Sequence, residues 1–276
     1  MLGNGVLATS AYKAWTNELT SRKQGTGGQS DNLQSLAYQW DANGNLQQRQ
    51  DLRQGLTEVF VNDSMNRLTS STLNGATNLS VGYDAAGNLT SKSDLGSYDY
   101  VTAQAGCTYH AHAQPHAVRR VGAMVMCYDA NGNMSARGGG AISWYSYDKP
   151  NQVSYAGNST QFSYNANHQR WKQVANFGGV SETTWYIGGM LEKVLRSGVT
   201  EFRHLIPAGS SAVLYTRRDN GTNSTYYLTS DHLGSGDLVM DSAATVLARE
   251  SFTPFGVQSR LTRHEMLDSV SPVHWS

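Results

Sequence analysis

Six copies of one short motif recur along this chain, and their spacing limits the folds available to it. In the three clearest copies an aromatic residue precedes Asp, two small or polar residues, Gly, Asn and an apolar residue, at 40–46, 83–89 and 128–134. Weaker copies lie at 62–68, 147–153 and 164–170. The first positions (40, 62, 83, 128, 147 and 164) are 22, 21, 45, 19 and 17 residues apart, which indicates a decayed copy between 83 and 128. A period of about 20 predicts a stacked supersecondary unit rather than a compact enzyme domain.

Apolar residues alternate before each clear copy, as in strands with one partly buried face. They are Leu36, Tyr38 and Trp40, then Leu79, Val81 and Tyr83, then Met124, Met126 and Tyr128. Asn43-Gly44 and Asn131-Gly132 supply the residues that tolerate positive φ in a tight hairpin turn. The Asp before each pair can accept hydrogen bonds from turn amides, and the Asn after it tolerates the left-handed region. We therefore predict an all-β chain of repeated antiparallel hairpins with these pairs at hairpin tips. A short helix is allowed only within 2–20.

The composition suits a sheet with many turns and two wet faces. Charged residues make up 15% of the chain, below the roughly 25% of ordinary soluble domains, while there are 28 Gly. Tyr outnumbers Phe by 15 to 6, and a Tyr ring can pack on a sheet while its hydroxyl reaches water. The net charge is zero and no basic stripe is present, which argues against a nucleic-acid partner. No apolar run approaches the roughly 18 residues of a membrane span, and residues 1–30 show no signal peptide of the usual form.

The repeated motif resembles the YD repeats of the RHS family, which includes bacterial Rhs polymorphic toxins, the C component of Tc insecticidal toxins and the animal teneurins. The resemblance continues at 115–118, 227–235, Asp241 and 252–256, and it covers about residues 33–268. It implies that the hairpins form a spiralling β-sheet. In this family the sheet closes into a hollow shell around a toxic C-terminal segment.

The chain departs from the family pattern in two places. Gly236-Asp237 stand where an apolar residue and an Arg usually follow Gly-Ser, and 269–276 do not continue the core segment that 264–268 resemble. We therefore expect a late part of a larger gene product that lacks the self-cleavage motif and a variable toxin domain. The predicted organisation is an N-terminal segment at 1–32, a YD-repeat array at 33–183, terminal RHS-repeat strands at 184–258 and a truncated start of the core segment at 259–276.

One group of residues has the composition of a metal site. Cys107, His110, His112 and His116 are close in sequence, but their spacing matches no closed zinc motif and the alternating alanines favour an ordinary strand. Cys107 and Cys127 flank the decayed copy. They could pair on neighbouring strands, but two isolated buried thiols are the favoured interpretation.

Three other motifs give no catalytic or cofactor site. His264-Glu265 lacks the second His of a zinc-protease helix, and Asp231-His232 lies in no nucleophile elbow. Gly138-Gly139-Gly140 is followed by no phosphate-binding Lys. The sequence therefore predicts no catalytic, cofactor-binding or metal-binding residues, and a protein that is not an enzyme.

Two hypotheses for the function follow. The first is a non-catalytic segment of an RHS-type shell that encloses or presents a toxin, with the toxin domain or other shell segments as partners. Such a protein acts outside the cell after export by a toxin delivery system, or resides in the cytoplasm before delivery. The second is a module that binds cell-surface carbohydrate through an exposed aromatic stripe formed by Trp40, Trp144, Trp171 and Trp185.

Overall fold

The computed structural model describes residues 2–108, 115–209, 211–256 and 258–263, and within these ranges the chain forms strands, turns and bends but no helix. The first twelve strands are β1 (Leu7–Tyr12), β2 (Leu19–Gly25), β3 (Gln34–Trp40), β4 (Leu46–Asp51), β5 (Leu56–Asn62), β6 (Leu68–Leu73), β7 (Ala76–Tyr83), β8 (Leu89–Lys92), β9 (Gly96–Asp99), β10 (Arg120–Val121), β11 (Met124–Tyr128) and β12 (Met134–Arg137). The other twelve are β13 (Gly140–Trp144), β14 (Pro150–Tyr155), β15 (Asn158–Tyr164), β16 (Arg170–Phe177), β17 (Val180–Ile187), β18 (Leu191–Arg196), β19 (Val199–Ala208), β20 (Ser211–Arg218), β21 (Asn223–Ser230), β22 (Gly236–Met240), β23 (Val246–Phe252) and β24 (Gln258–Arg263).

Consecutive strands pair antiparallel, which confirms the predicted all-β fold of repeated hairpins. The pairing runs from β1 through β6, from β7 through β18 and from β21 through β24. The predicted alternation is present as well, since Leu36 and Tyr38 are buried on β3 and Leu79 and Val81 on β7. The predicted segment boundaries after residues 32, 183 and 258 stay a prediction.

Within residues 2–20, where the sequence allows a short helix, the chain instead forms β1 and the start of β2, which pair as a hairpin. β1 pairs with β2 from Leu7 opposite Gly25 to Tyr12 opposite Leu19. All six side chains of β1 are exposed. A helix there would have no core to pack against, and a helix shorter than about 12 residues is marginal without such packing. Backbone pairing with β2 therefore outweighs the helix propensity of Ala and Leu.

One five-residue loop geometry recurs at nine hairpins of the described ranges. The amide of the first residue donates to the carbonyl of the fifth, and the amide of the fourth donates to the carbonyl of the first. The fourth residue has positive φ in every loop. These loops span 41–45, 63–67, 84–88, 129–133, 145–149, 165–169, 218–222, 231–235 and 241–245.

The aspartate of the motif fixes this loop. Asp41 Oδ1 accepts hydrogen bonds from the amides of Asn43 and Asn45, each at 2.9 Å, and its Oδ2 accepts one from the side-chain amide of Asn45 at 2.9 Å. The expected role of Asp is therefore seen, whereas the expected role of Asn is not. Within the pair Asn43-Gly44 only Gly44 has positive φ, at 81°, and Asn45 acts through its side chain rather than through the left-handed region.

The fifth motif copy lies three residues earlier than the sequence match suggests. The amide of Tyr145 donates to the carbonyl of Lys149, so the repeat unit occupies 144–150 instead of 147–153. Asp148 is thus the fourth loop residue, with φ of 57°. Asp tolerates this conformation better than most residues, which explains why a Tyr-Asp pair appears in the wrong register.

Tight two-residue turns occur at other hairpin tips, and these have the geometry that was expected at Asn43-Gly44. Both turn residues have positive φ, as a type I′ turn requires. The turns are Asn74-Gly75, Gly138-Gly139, Ala156-Gly157, Gly178-Gly179 and Ser197-Gly198.

The chain divides into two compact units. The first comprises the described residues of Met1–Asn78, His204–Thr216 and Asn223–Ser276, and the second comprises those of Leu79–Arg203 and Arg217–Thr222. An apolar core of the first unit joins early and late parts of the chain, and it consists of Val6, Leu33, Tyr227, Leu238 and Met240. In the second unit, one face of β15 to β18 buries residues that lie opposite one another across the strands. They are Thr160, Phe162, Gln173, Ala175, Thr184 and Val194.

Candidate functional site: a buried polar centre

A group of polar side chains is buried in the first unit, and we call it the polar centre. Its members are Arg22 on β2, Gln34 on β3, Arg49 on β4, Glu58 on β5, Asp231 and His232 in the loop after β21, and Asp237 on β22. These elements bring together residues that are about 200 positions apart, because the late strands pack against the early ones. The polar centre therefore joins the early strands of the first unit to its late strands.

Arg49 links three elements of the polar centre. Its Nε donates to Glu58 Oε2 over 2.7 Å, and Glu58 lies directly opposite it on β5. Its Nη2 donates to the carbonyl oxygen of Phe252 over 2.6 Å, and its Nη1 lies 3.9 Å from Asp231 Oδ2. Both Arg49 and Glu58 are largely buried, with 14% and 13% of their side chains exposed. Arg49 thus holds the late strands against β4 and β5.

The side chain of Arg22 contacts backbone carbonyl groups at the start of the loop after β21. Arg22 Nη1 donates to the carbonyl oxygens of Ser230, over 2.9 Å, and Asp231, over 2.5 Å. Asp231 itself uses Oδ1 to accept the amides of Leu233 and Ser235, each at 2.9 Å. The loop at 231–235 therefore repeats the geometry of the loop at 41–45, and Arg22 holds it through two backbone carbonyl groups.

Gln34 and Asp237 form a buried contact between β3 and β22. Gln34 Nε2 donates to Asp237 Oδ2 over 2.5 Å and to Thr229 Oγ1 over 3.3 Å. Burial raises the pKa of Asp237 to about 6, against the lowering effect of the hydrogen bond from Gln34. Asp237 is the residue at which the sequence departs from the family pattern, and its carboxyl group is the one strongly perturbed acid of the polar centre.

His232 is packed against two aromatic rings. Its ring centroid lies 4.8 Å from that of Tyr38 and 6.3 Å from that of Trp40. Burial lowers the pKa of His232, which keeps the ring neutral near pH 7. Its Nδ1 lies 4.0 Å from Asp231 Oδ2, and in the described part of the chain it has no hydrogen-bond partner. Among the described residues, therefore, no hydroxyl or thiol is hydrogen-bonded to Nδ1 for that nitrogen to activate as a nucleophile.

A small cavity of about 40 Å³ lies beside the polar centre. Its walls include carboxylates, one arginine and apolar side chains, among them Leu36, Arg49, Asp51, Leu56, Glu58 and Phe252. This volume is sufficient for a water molecule or two and far below the roughly 300 Å³ of a small-molecule site. The polar centre therefore has the dimensions of an internal structural network rather than a substrate pocket.

The interpretation of the cysteines as isolated thiols is wrong. Cys107 and Cys127 form a disulfide with Cα atoms 5.2 Å apart, which ties the segment before β10 to β11. The segment between β9 and β10 is a long insertion at the hairpin where the motif has decayed, because Asp99 pairs with Arg120. A sequence period alone does not reveal which strands this insertion brings together.

Of the remaining residues of the ligand-like cluster, His116 is the one that lies in the described part of the chain. His110 and His112 lie outside the described residues, and His116 Nδ1 lies 2.6 Å from Asn88 Oδ1 in the loop at 84–88. In the part of the chain that is described, no three His, Cys, Asp or Glu residues are arranged to hold a metal ion. The absence of a metal site stays a prediction.

The four tryptophans proposed as a carbohydrate-binding stripe differ in exposure. Only Trp171 is exposed, at 43%, while the other three are half-buried. The indole Nε1 of Trp40 donates to the carbonyl oxygen of Leu19, and that of Trp144 to Met134. Most of these rings therefore serve to pack the sheet. Sequence reasoning missed Trp15, which is 99% exposed.

Alternation with known buried positions could have identified much of the polar centre. Gln34 has the same strand phase as Leu36 and Tyr38, and Arg49 lies directly opposite Tyr38. A polar residue on a buried strand face requires a polar partner. The sequence does not say which late residue is that partner, because the contacts span about 200 positions.

Among the comparisons with known proteins, the one with solved structures supports the fold. No family model matches the chain, and no curated protein matches it. A crystal structure of TcdB2-TccC3-Cdc42 superimposes with a TM-score of 0.77 and 17% identity, over 98% of this chain and 16% of that chain. The Tc holotoxin pore of Photorhabdus luminescens, with a mutated TccC3, gives a TM-score of 0.76 and 16% identity over 97% of this chain and 15% of that one. The crystal structure of TcdB2-TccC3 without its hypervariable C-terminal region gives a TM-score of 0.71 and 16% identity, over 98% of this chain and 16% of that chain.

The chain thus spans about one sixth of the length of the solved chains that it matches. The described residues contain no helix that is long and apolar enough to cross a membrane. At this level of identity the likeness establishes the fold and leaves activity and partners open.

Proposed function

We propose that this chain is a non-catalytic wall segment of an RHS-type shell, which encloses or presents a toxic polypeptide for delivery to competitor or host cells. The observation that supports the proposal most is the structural match to TcdB2-TccC3-Cdc42 over 98% of the chain. The YD-like motifs add independent support from sequence, because each of the three clearest copies forms one of the recurring five-residue loops.

The site geometry supports a structural role over catalysis. The polar centre holds a neutral buried histidine and a paired arginine beside a cavity of about 40 Å³. Such a site has no room for a substrate. Its contacts join early and late strands of the first unit. A wall that surrounds a cargo requires such contacts to keep its strands in place.

The aromatic positions favour the wall over the carbohydrate-binding module. Stacking on sugars needs exposed faces, and three of the four candidate indoles are half-buried. The proposed partners are therefore a toxin polypeptide and other shell segments. The Cys107–Cys127 disulfide is typical of an oxidising compartment. It supports a protein that acts outside the cytoplasm.

Protease protection tests the proposal. The gene product that contains this chain is purified under native conditions from its natural source through a terminal affinity tag, and it is digested with proteinase K. We expect a second polypeptide segment to survive digestion until urea opens the protein, and then to be degraded. Complete digestion of every associated segment before the strands unfold would contradict enclosure. Specific binding on a glycan array, lost in Trp171→Ala, would favour the carbohydrate-binding module.

A further inference from the structure

In the contact between Gln34 and Asp237, one buried acceptor has no hydrogen-bond donor. Gln34 is 1% exposed and Asp237 is 8% exposed, so both side chains are largely removed from bulk solvent. Gln34 Nε2 donates to Asp237 Oδ2, but Gln34 Oε1 is buried and finds no donor among the described residues. An unpaired buried acceptor costs roughly 1–3 kcal/mol. An ionised carboxylate cannot satisfy it, because it has no hydrogen to donate.

A protonated Asp237 would supply that hydrogen. A carboxylic acid and a carboxamide can form two hydrogen bonds in a ring, with each group donating once and accepting once. Gln34 Nε2 already makes one of these bonds to Asp237. Protonation on the second carboxyl oxygen would complete the other, and both buried groups would then be satisfied.

The surrounding charges also favour the neutral acid. Asp51 and Asp231 act on Asp237 as like charges, and Arg249 is the cation that opposes them. Arg249 is itself half-buried and is shared with Asp51. Arg49, Glu58 and Glu250 complete the charged walls of the adjoining cavity, and Arg49 is engaged by Glu58. Asp237 therefore lies in a region where acids outnumber available cations.

We propose that Gln34 and Asp237 form a proton-dependent lock between β3 and β22, in which Asp237 takes up one proton from solvent in mild acid and donates it to Gln34 Oε1. As the pH falls, this lock stabilises the contact between β3 and β22 in the first unit. It does not rest on the proposed function, since it follows from the burial and the hydrogen bonds of the two side chains.

The direction of the pH effect follows from the raised pKa. The pKa of Asp237 is about 6 in the folded chain, against 3.8 for the ordinary group. The contribution is therefore complete below about pH 4 and is lost as the pH rises through about 6. A difference of about two pKa units corresponds to roughly a hundredfold change in the opening equilibrium of the first unit. The loop aspartates act oppositely, because hydrogen bonds hold the pKa of Asp41, Asp63 and Asp84 below their ordinary value.

Hydrogen exchange of the full chain tests the lock. Asp237→Asn imitates the protonated acid, because its NH2 group can donate to Gln34 Oε1 while its oxygen accepts from Nε2. We expect Asp237→Asn to slow exchange of β3 and β22 amides by roughly a hundredfold at pH 8, and to come within about twofold of the wild type at pH 3.5. Peptides from β16 and β17 in the second unit serve as an internal reference. Glu192→Gln on β18 is the control and should change neither strand at either pH.

Equal exchange of β3 and β22 in Asp237→Asn and wild type at pH 8 would overturn the proposal. A direct titration decides the case even if the variant fails to fold. In wild-type protein labelled with ¹³C at aspartate carboxyl groups, the Asp237 signal should titrate with a midpoint near 6. A midpoint at or below the ordinary 3.8 would show that the acid stays ionised, and no lock would exist.

Discussion

The side-chain amide of Asn45 donates to the side-chain oxygen of Asn66 over 2.9 Å, although the two residues are 21 positions apart. Asn45 is the fifth residue of one loop and Asn66 the fourth residue of the next. In the second unit Asn133 donates in the same way to Asp148 over 2.8 Å, and His168 stacks on Tyr147 with centroids 4.4 Å apart. Where a weak motif copy lacks glycine, the substituted side chain contacts the preceding loop. The residues that replace glycine in these weak copies therefore stabilise the contact between successive loops.

Substitutions at Asn66 separate this contact from the backbone requirement. Asn66→Ala removes the acceptor and places Ala at φ of 61°, so we expect the free energy of unfolding to fall by about 2 kcal/mol. Asn66→Gly removes the same acceptor but relieves the backbone, so the loss should be below about 1 kcal/mol. Urea denaturation measures both. Equal losses in the two variants would show that the left-handed backbone carries no cost at this position.

The disulfide should stabilise the second unit. It joins residues 20 positions apart, and closing a loop of that length stabilises a fold by about 3 kcal/mol. We expect the double variant Cys107→Ala/Cys127→Ala to unfold at lower urea, and reductant to shift only the wild type. Mass spectrometry of the unreduced protein should find no free thiol. Two alkylatable thiols in the folded, air-oxidised chain would contradict the pairing.

Loss of Arg49 should open the first unit. Arg49→Ala leaves the buried carboxylate of Glu58 without its cation and removes the bond to Phe252, so we expect a loss of about 3–5 kcal/mol. The double variant Arg49→Ala/Glu58→Ala should recover part of that loss, because no unpaired acid remains. Lys13→Ala breaks the more exposed pair with Glu18 and serves as the control, with a much smaller effect. A loss in Arg49→Ala no larger than in Lys13→Ala would contradict a buried link.

Much of the fold follows from the sequence because its information is local. Each Asp of a clear copy binds amides within its own loop, so Asp41 specifies the hairpin without reference to the rest of the chain. Alternation identifies the buried face of β3 and β7 for the same reason. Local matching misleads where two residues imitate the motif, as Tyr147-Asp148 do in the wrong register.

The polar centre could be predicted only in part, because its partners are distant in sequence. The phase of Gln34 marks it as buried, but nothing near residue 34 indicates Asp237 as its partner. The disulfide was missed for a related reason. Whether Cys107 meets Cys127 depends on how the insertion after Asp99 is laid against β11, and a period of about 20 residues carries no such information.

Incubation of the purified chain should leave it intact. The buried Nδ1 of His232 has no hydrogen-bond partner within the described residues, and the cavity beside the polar centre is too small for a peptide. We expect an unchanged intact mass after days at pH 5 and pH 7.5, and no hydrolysis of ester or peptide reporters. Shortening of the wild type that stops in Asp231→Asn or Asp237→Asn would reveal a self-cleaving acid pair and refute the non-catalytic assignment.

Electron cryomicroscopy of the natively purified gene product tests the central claim most directly. We expect a hollow β-shell in which strands β1 to β24 form part of a continuous wall, with density for another polypeptide inside. The recurring loops at 41–45, 84–88 and 129–133 should be recognisable along that wall. An isolated sheet whose two faces both meet bulk solvent, with no enclosed space and no internal polypeptide, would contradict the account.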